Sequence, residues 1–225
     1  MSTATASSPA AAAYDPFEFV AGSGDGGDFE TCPAGNYPGT MVGLIDMGHH
    51  LDDYDKSFVK TVHRAALIFE VDEQQKNGKP FLFAKQVNLP KNGLLNDKAA
   101  LREILESWLG RKIADKEPCG IGRMIYKSGI VNITHSGSPE KPYANFNGIA
   151  PLMKGMAAPA PITPKLVYKV DASKPDEIPN YDWLPRIFGQ KIADIIAGAD
   201  EFKPKRPAGG NAMTQEELDD ADLPF

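Results

Sequence analysis

An apolar hairpin pattern near the middle of the chain constrains the fold more than any other feature. Residues 62–71 read VHRAALIFEV and residues 81–89 read FLFAKQVNL, and both are rich in β-branched and aromatic side chains. Between them lies Asn77-Gly78, a dipeptide typical of two-residue β-turns because both residues tolerate positive φ. The pattern predicts two antiparallel strands over 62–71 and 81–89.

Other strand patterns occur on both sides of this hairpin. Residues 41–48 precede it as a strand, and a polar loop is predicted from His49 to Lys60. After it, segments rich in β-formers predict strands at 119–126, 129–135 and 143–149, and a short strand at 166–170. The chain therefore has the strand content of a mainly β protein.

Two segments have the spacing of amphipathic helices. The first carries apolar side chains at i, i+3, i+4, i+7 and i+8, which are Leu101, Ile104, Leu105, Trp108 and Leu109. Asn96 or Asp97 is expected to cap its start and Gly110 to end it, and Trp108 is expected in the core. The second helix is predicted near 182–198, with Pro185 in its first turn.

The order of these elements predicts the architecture and the domains. Three strands, a helix and two further strands fit a mainly β fold, a five-stranded Greek-key barrel of the OB type with a helix between strands 3 and 4. The first 36 residues are acidic and rich in Ala, Ser and Gly, so we expect them to be disordered. The predicted domains are a disordered acidic extension at 1–36, an OB-fold domain at 37–155, a C-terminal extension at 156–202 and a disordered tail at 203–225.

The distribution of charge is more informative than its total. The net charge of -6 argues against a simple basic nucleic-acid binder. However, residues 1–37 hold five acidic and no basic residues, and residues 214–225 hold the same. Residues 38–213 therefore carry 24 basic and 20 acidic residues, a surplus of +4 that is compatible with binding nucleic acid.

Several classes of protein are excluded by features that the sequence lacks. No apolar run reaches the roughly 18–20 residues of a membrane span, and the N-terminus has no basic start of a secretory signal. Cys32 and Cys119 are far apart and outside any metal spacing, so we expect two reduced thiols. We therefore expect a cytoplasmic protein, in the host cytoplasm if the chain is viral.

Catalytic chemistry is not indicated either. His49-His50 followed by Asp52, Asp53 and Asp55 is the one cluster that suggests a metal, and an ordinary polar loop is the preferred interpretation. No nucleophile motif and no phosphate-binding loop is recognisable. We expect no enzyme, no metal and no cofactor.

The last residues, EELDDADLPF, have the character of a peptide ligand. Acidic residues alone are explained by solubility, but solubility disfavours a terminal Phe. A pocket on a partner can hold the Phe ring while basic groups around it pair with the carboxylates. The predicted partner-binding residues are Asp219, Asp220, Asp222, Leu223, Pro224 and Phe225.

The ending DDADLPF resembles the acidic, Pro-Phe-terminated tip of bacterial and phage single-stranded DNA-binding proteins. In addition, YPGTMVGLIDMGHH, LREILESWLGR and VNITHSGSPEKPYANFNGIAPLMKG are similar, in that order, to a family of small phage OB-fold proteins regarded as binders of single-stranded DNA. The resemblance covers residues 37–155 and extends to about 200. It implies a protein that coats and protects single-stranded DNA during phage DNA replication, recombination and repair, with a tip that recruits the proteins of those processes.

Single-stranded DNA is held by basic groups along the phosphates and by aromatic side chains that stack on bases. In OB-folds these groups lie on strands 2 and 3 and on the adjoining loops. Phe69 and one of the two pairs Phe81/Phe83 and Tyr143/Phe146 are expected in the barrel interior. Lys85 shares a face of its strand with Phe81 and Phe83, which makes that face the candidate for exposure. The candidates are Tyr54, Lys56, Phe58, Lys60, Arg64, Lys79, Phe81, Phe83, Lys85, Lys141 and Tyr143.

Two alternatives to this function remain open at the level of sequence. A protein that anneals complementary strands, or mediates their recombination, has the same general requirements. An OB-fold module that binds only proteins would need no basic or stacking surface. Whether the chain forms a homo-oligomer is also open.

Overall fold

The long first strand organises the sheet. The computed structural model describes residues 30–52, 59–97, 99–115, 117–118, 120–138 and 140–203. In it, β1 (Gly35–Asp52) pairs antiparallel with β2 (Lys60–Gln74) and, through its first residues, with β4 (Ser128–Ser138). β3 (Pro80–Leu89) pairs with β2, and β5 (Lys141–Ala150) pairs with β4. The short β6 (Leu166–Tyr168) runs parallel to the middle of β1.

The resulting strand order is β3-β2-β1-β4-β5, with β6 beside β1. Among the described residues no ladder joins β3 to β5, so the sheet is open where a closed barrel was predicted. The helix α1 (Ala100–Leu109) contacts both of these strands, and the Ser107 hydroxyl donates to the Ile149 carbonyl of β5 at 2.7 Å. The predicted mainly β class is confirmed, and α1 packs against both outer strands of the sheet.

The predicted first helix is confirmed, but its cap is not. Gly110, at φ 64, ends the helix as expected, whereas the residue before its first turn is Ala99 and no side chain caps it. Asp97 instead pairs with Arg102 at 2.7 Å. Leu109 at the end of the helix is 41% exposed, so the buried stripe stops at Trp108.

The inner face of the sheet packs against α1 around Phe69. The Phe69 ring stacks on Phe146 of β5 with centroids 4.6 Å apart, and Trp108 of α1 lies 5.7 Å from it. Trp108 is 3% exposed, which confirms the expectation that it is a core residue. Contacts between large apolar side chains thus join the two halves of the sheet.

The outer face of β1 and β2 is covered by the C-terminal extension. Val42, Ile45 and Ile68 are completely buried there, together with Ile192 and Ile196 of the extension. Alternate residues of a strand point to opposite faces, so β2 buries apolar side chains on both. The sheet therefore lies between two hydrophobic cores, one formed with α1 and one with the extension.

A buried carboxylate anchors the start of this extension. Glu70 of β2 is 6% exposed, and its two oxygens accept the backbone N–H groups of Ile162 and Thr163, each at 2.7 Å. A carboxylate removed from water needs such donors. Glu70 thereby fixes where the chain crosses the sheet before β6.

The helix predicted near 182–198 is wrong for most of its length, because α2 covers only Ile192–Ala197. Before it, Ile187 and Gln190 exchange two backbone hydrogen bonds of 2.9 Å around Phe188-Gly189. Both turn residues have positive φ, at 49° and 79°. This turn interrupts the helical pattern.

Three other local predictions are also wrong. The strand predicted at 119–126 is wrong, because Ile121–Met124 form a short 3₁₀ helix. Glycines in this segment have no side chain to pack in a strand. His49 and His50 belong to β1 and not to a loop. Gly35 and Asn36, placed in the disordered extension, begin β1. In the described part of the chain, no helix is long and apolar enough to cross a membrane.

Candidate nucleic-acid interface

The register of the sheet separates the candidate residues into two groups at opposite ends of β2. The β1–β2 turn lies at one end, beside Lys60 and Arg64. The β2–β3 and β4–β5 turns lie together at the other end, because the start of β1 pairs with the end of β2 and also with β4. β2 has 15 residues, so roughly 50 Å of strand separates the two groups.

At the first end, the β1–β2 turn lies outside the described residues, and with it the candidates Tyr54, Lys56 and Phe58. The Lys60 side chain is 53% exposed, and its Nζ lies 3.7 Å from Asp52 Oδ2. Arg64 is half-buried opposite Gly48, and no ion pair joins it to another described residue. Both cations therefore lie at the base of this turn, Lys60 in an ion pair with Asp52.

A stacked pair of histidines, not foreseen from the sequence, lies at the same end. The rings of His49 and His63 are 4.4 Å apart between centroids and nearly parallel, at 23°. His49 Nδ1 donates to Glu201 at 2.5 Å and His63 Nε2 donates to Asp46 at 2.7 Å. The sequence shows a histidine in each of the two strands. That they pair can be recognised only when the register between β1 and β2 is known.

The carboxylate of Glu201 also binds the backbone N–H of His49, at 2.9 Å and 3.1 Å from its two oxygens. Burial raises the pKa of Glu201, but the hydrogen bonds from His49 outweigh burial, so the pKa lies below its ordinary value. The neighbouring His50 points away from this pair, and its Nε2 donates to the Met47 carbonyl at 2.8 Å. Among the described residues, no cluster of three or more metal-ligating side chains is present.

At the second end, residues 30–33 tie the two turns together. Glu30 accepts the backbone N–H of Lys76 at 2.8 Å, and the Thr31 hydroxyl donates to the Pro142 carbonyl at 3.3 Å. The carbonyl of Cys32 accepts from His135 Nε2 at 2.8 Å. Lys79 precedes β3, and Lys141 and Tyr143 belong to the first residues of β5, so all three lie beside turns that the structure brings together and form the second group of candidates. The side chain of Lys141 lies outside the described part of the chain.

Cys32 is a free thiol in this segment, and burial raises its pKa to about 11, with a smaller effect of Glu73. The expectation of a reduced thiol agrees with this environment for Cys32, whereas Cys119 lies outside the described residues. A thiol with so high a pKa is a poor nucleophile at neutral pH. Cys32 is thus a packing residue.

Tyr143 is the most exposed of the candidate aromatics that the structure describes, at 66%. By contrast, the exposure expected for the face of Phe81 and Phe83 is wrong, because each is 7% exposed and packs in the inner core. Lys85 lies on the same face and is half-buried. The reason is that β3 turns this face towards Phe69 and α1, so neither phenylalanine ring presents a surface to a base.

The outer face of β2 and β3, on which OB-folds usually bind ligands, is also unavailable over much of its area. Ala66 and Ile68 are completely buried under the extension, and Leu82 and Ala84 of β3 pack against the same cluster. Leu82 and Ala84 remain partly exposed. The sequence signal for this two-sided burial is the unbroken apolar run from Ala65 to Phe69.

The outer face of β4, β5 and the start of β1 is open. A row of amides crosses it, in which Asn132 donates to Asn36 at 2.7 Å and Asn147 donates to Asn132 at 2.8 Å. Asn145 and Tyr143 continue the same face of β5 and are exposed. We call this surface, formed by Asn36, Asn132, Tyr143, Asn145 and Asn147, the amide face, and none of its residues is charged.

The residues predicted to bind partners, at 219–225, lie outside the described residues. Comparison of the chain with protein-family models, with curated proteins and with solved structures finds no match. The assignment of function therefore depends on the chain's own residues.

Proposed function

We propose that this chain is a single-stranded DNA-binding protein, of the kind that coats and protects DNA during phage replication, recombination and repair. The strand order β3-β2-β1-β4-β5, with α1 between β3 and β4, is the order of an OB-fold, and this supports the proposal. The fold is then an OB-fold whose outer strands, β3 and β5, both contact α1.

The amide face carries the proposal. It combines an exposed aromatic ring, Tyr143, with a row of amide groups that donate and accept hydrogen bonds. Aromatic rings stack on unpaired bases with little regard to sequence, and each stack contributes roughly 1–3 kcal/mol. An uncharged surface also offers no carboxylate to repel phosphates.

Cations at both ends of the sheet complement this face. Lys60 and Arg64 lie at one end, and the turns that carry Lys79 and Lys141 lie at the other. We therefore propose that DNA runs over the amide face between the turns and avoids the outer face of β2 and β3. This path explains how a chain with a covered β2–β3 face accommodates a strand.

The acidic tip is proposed to recruit replication, recombination and repair proteins through Phe225. Its five carboxylates and terminal aromatic ring suit a basic pocket with an apolar floor. Removal of Phe225 alone is expected to abolish such recruitment while DNA binding is retained.

The test is a fluorescence titration of the full chain with labelled oligo-dT and with duplex DNA at two salt concentrations. We expect a marked preference for the single strand and weaker binding at high salt. Tyr143→Ala is expected to weaken binding by about five- to a hundred-fold, the equivalent of one stack, whereas Tyr143→Phe retains the ring and the affinity. Equal affinity for both forms would contradict stacking on unpaired bases. No salt-sensitive binding of oligo-dT would instead favour a module that binds only proteins.

A further inference from the structure

The turn of the C-terminal extension that interrupts the predicted helix presents an aromatic ring at its tip. Phe188 is 89% exposed, the highest value among the large hydrophobic side chains of the described residues. It occupies the first of two left-handed positions, with Gly189 in the second. The hydrogen bonds of 2.9 Å between Ile187 and Gln190 close the turn behind it.

This conformation is unfavourable for an aromatic residue. At positive φ the Cβ atom crowds the backbone, so Gly and Asn are the residues usually found there. Within the described ranges, Phe188 and Tyr126 are the only non-glycine residues with positive φ. Both are exposed aromatic residues, Tyr126 at 47%. At two positions, therefore, an unfavourable backbone conformation is found together with an exposed aromatic ring.

The base of the turn is rigid. Leu184 and Ile187 are 5% and 4% exposed and belong to the outer core. The Arg186 guanidinium donates to the Gly189 carbonyl at 3.2 Å, which holds the cation against the turn. The turn therefore projects an apolar ring and a positive charge from a fixed base.

We propose that Phe188 and Arg186 form a second contact for single-stranded DNA, with a base stacked on the Phe188 ring and a neighbouring phosphate on Arg186. This inference rests on the proposed function and extends the DNA path from the sheet onto the C-terminal extension. The pairing of an exposed ring with a cation recurs at Tyr126, which Lys127 follows in the chain. Single-stranded DNA repeats a base and a phosphate along its length. It therefore matches two separate pairs of an exposed ring and a cation better than a single protein partner does.

The test compares a variant that lacks the ring with a variant that keeps it. Phe188→Asn removes the ring at a position where Asn tolerates positive φ, so its unfolding midpoint should equal or exceed that of the unchanged protein. Phe188→Tyr keeps the ring. We expect Phe188→Asn to weaken binding of long oligo-dT by about five- to a hundred-fold and Phe188→Tyr to leave it within about two-fold.

A short oligonucleotide, which the sheet alone can hold, should bind both variants like the unchanged protein. Arg186→Gln should weaken long oligo-dT binding and reduce its salt dependence, because it removes one phosphate contact and leaves the ring in place.

Three outcomes would overturn the inference. They are equal binding of long oligo-dT by Phe188→Asn and the unchanged protein, a loss that is the same for short and long oligonucleotides, and a change in self-association in place of a change in DNA affinity. If the unchanged protein does not bind oligo-dT at all, the proposed function itself fails, and this result is distinct from the first three.

Discussion

The carboxylate of Glu201 binds both the backbone and the ring of His49, a β1 residue 152 positions earlier in the chain. It accepts the His49 backbone N–H at 2.9 Å and the ring Nδ1–H at 2.5 Å. The His49 ring in turn stacks on His63, which is held by Asp46. One side chain of the extension thus fixes the edge of the sheet next to the β1–β2 turn.

Replacing Glu201 is therefore expected to loosen the end of the extension. Glu201→Ala leaves the His49 N–H without its acceptor, and loss of a hydrogen bond to a charged group costs about 1.5–3 kcal/mol. Urea unfolding measures this loss. Asp200→Asn is the control, because it removes only an exposed ion pair with Lys203, a change of about 0–1 kcal/mol. Equal effects of the two substitutions would contradict the role of Glu201.

Replacing Glu70 should release the start of the extension. In Glu70→Ala the N–H groups of Ile162 and Thr163 lose their acceptor, and that of Thr163 is buried, so we expect a loss of about 1–3 kcal/mol and early proteolysis within the extension. Limited proteolysis with mass spectrometry locates the cleavage. Asp72→Asn is a matched control on the same strand, since Asp72 is exposed. If cleavage begins within the sheet instead, Glu70 is not the anchor.

Stability at acid pH should depend on Glu106. Hydrogen bonds from Lys112, from the Ile113 backbone and from Arg102 lower the pKa of Glu106 from 4.5 to about 2. A carboxyl whose pKa is lower in the folded state stabilises the fold above its ordinary pKa, and this contribution is lost as pH falls through the folded value. Between pH 4.5 and about 2, stability should thus fall more steeply in the unchanged protein than in Glu106→Gln.

The comparison is made by urea unfolding at several pH values in that window. Glu103→Gln is the control, because Glu103 is exposed on the same helix. Parallel curves for the unchanged protein and Glu106→Gln would show that this carboxyl does not titrate as described.

If the chain binds single-stranded DNA, its acidic tail should compete with the DNA. Residues 214–225 carry five acidic and no basic residues, whereas residues 38–213 have a surplus of +4. Deletion of 214–225 is expected to raise DNA affinity, most strongly at low salt, where charges are least screened. Titrations with oligo-dT at several salt concentrations measure the effect, and deletion of Phe225 alone is the matched control. Unchanged affinity across the salt range would exclude competition by the tail.

Some elements were predictable from the sequence because their signals are local. The β2–β3 hairpin follows from two apolar segments around Asn77-Gly78, and α1 follows from its apolar stripe and from Gly110. In each case neighbouring residues alone determine the backbone. The second helix was mispredicted for the same reason, since an apolar stripe does not reveal that Phe188 adopts a left-handed conformation.

The candidate site was predictable only in part. Tyr143 is exposed as a stacking residue must be, but Phe81 and Phe83 are in the core although they alternate like surface residues. Period-two alternation shows which residues share a face and does not show which face is covered. Phe69 and α1 cover the face of Phe81 and Phe83, and the extension covers the opposite face. The second covering depends on contacts more than 90 residues apart, such as Glu70 with Thr163.

By itself, then, the sequence determined the mainly β class, the central hairpin, the first helix and the acidic, Phe-terminated tail, because each depends on composition or on short-range spacing. Only the tertiary structure decided that the sheet is open between β3 and β5, that the extension covers the β2–β3 face, and that the amide face remains accessible. The physical reason is that burial of a face is a property of what packs on it. In this chain the covering segment follows the strands by about a hundred residues.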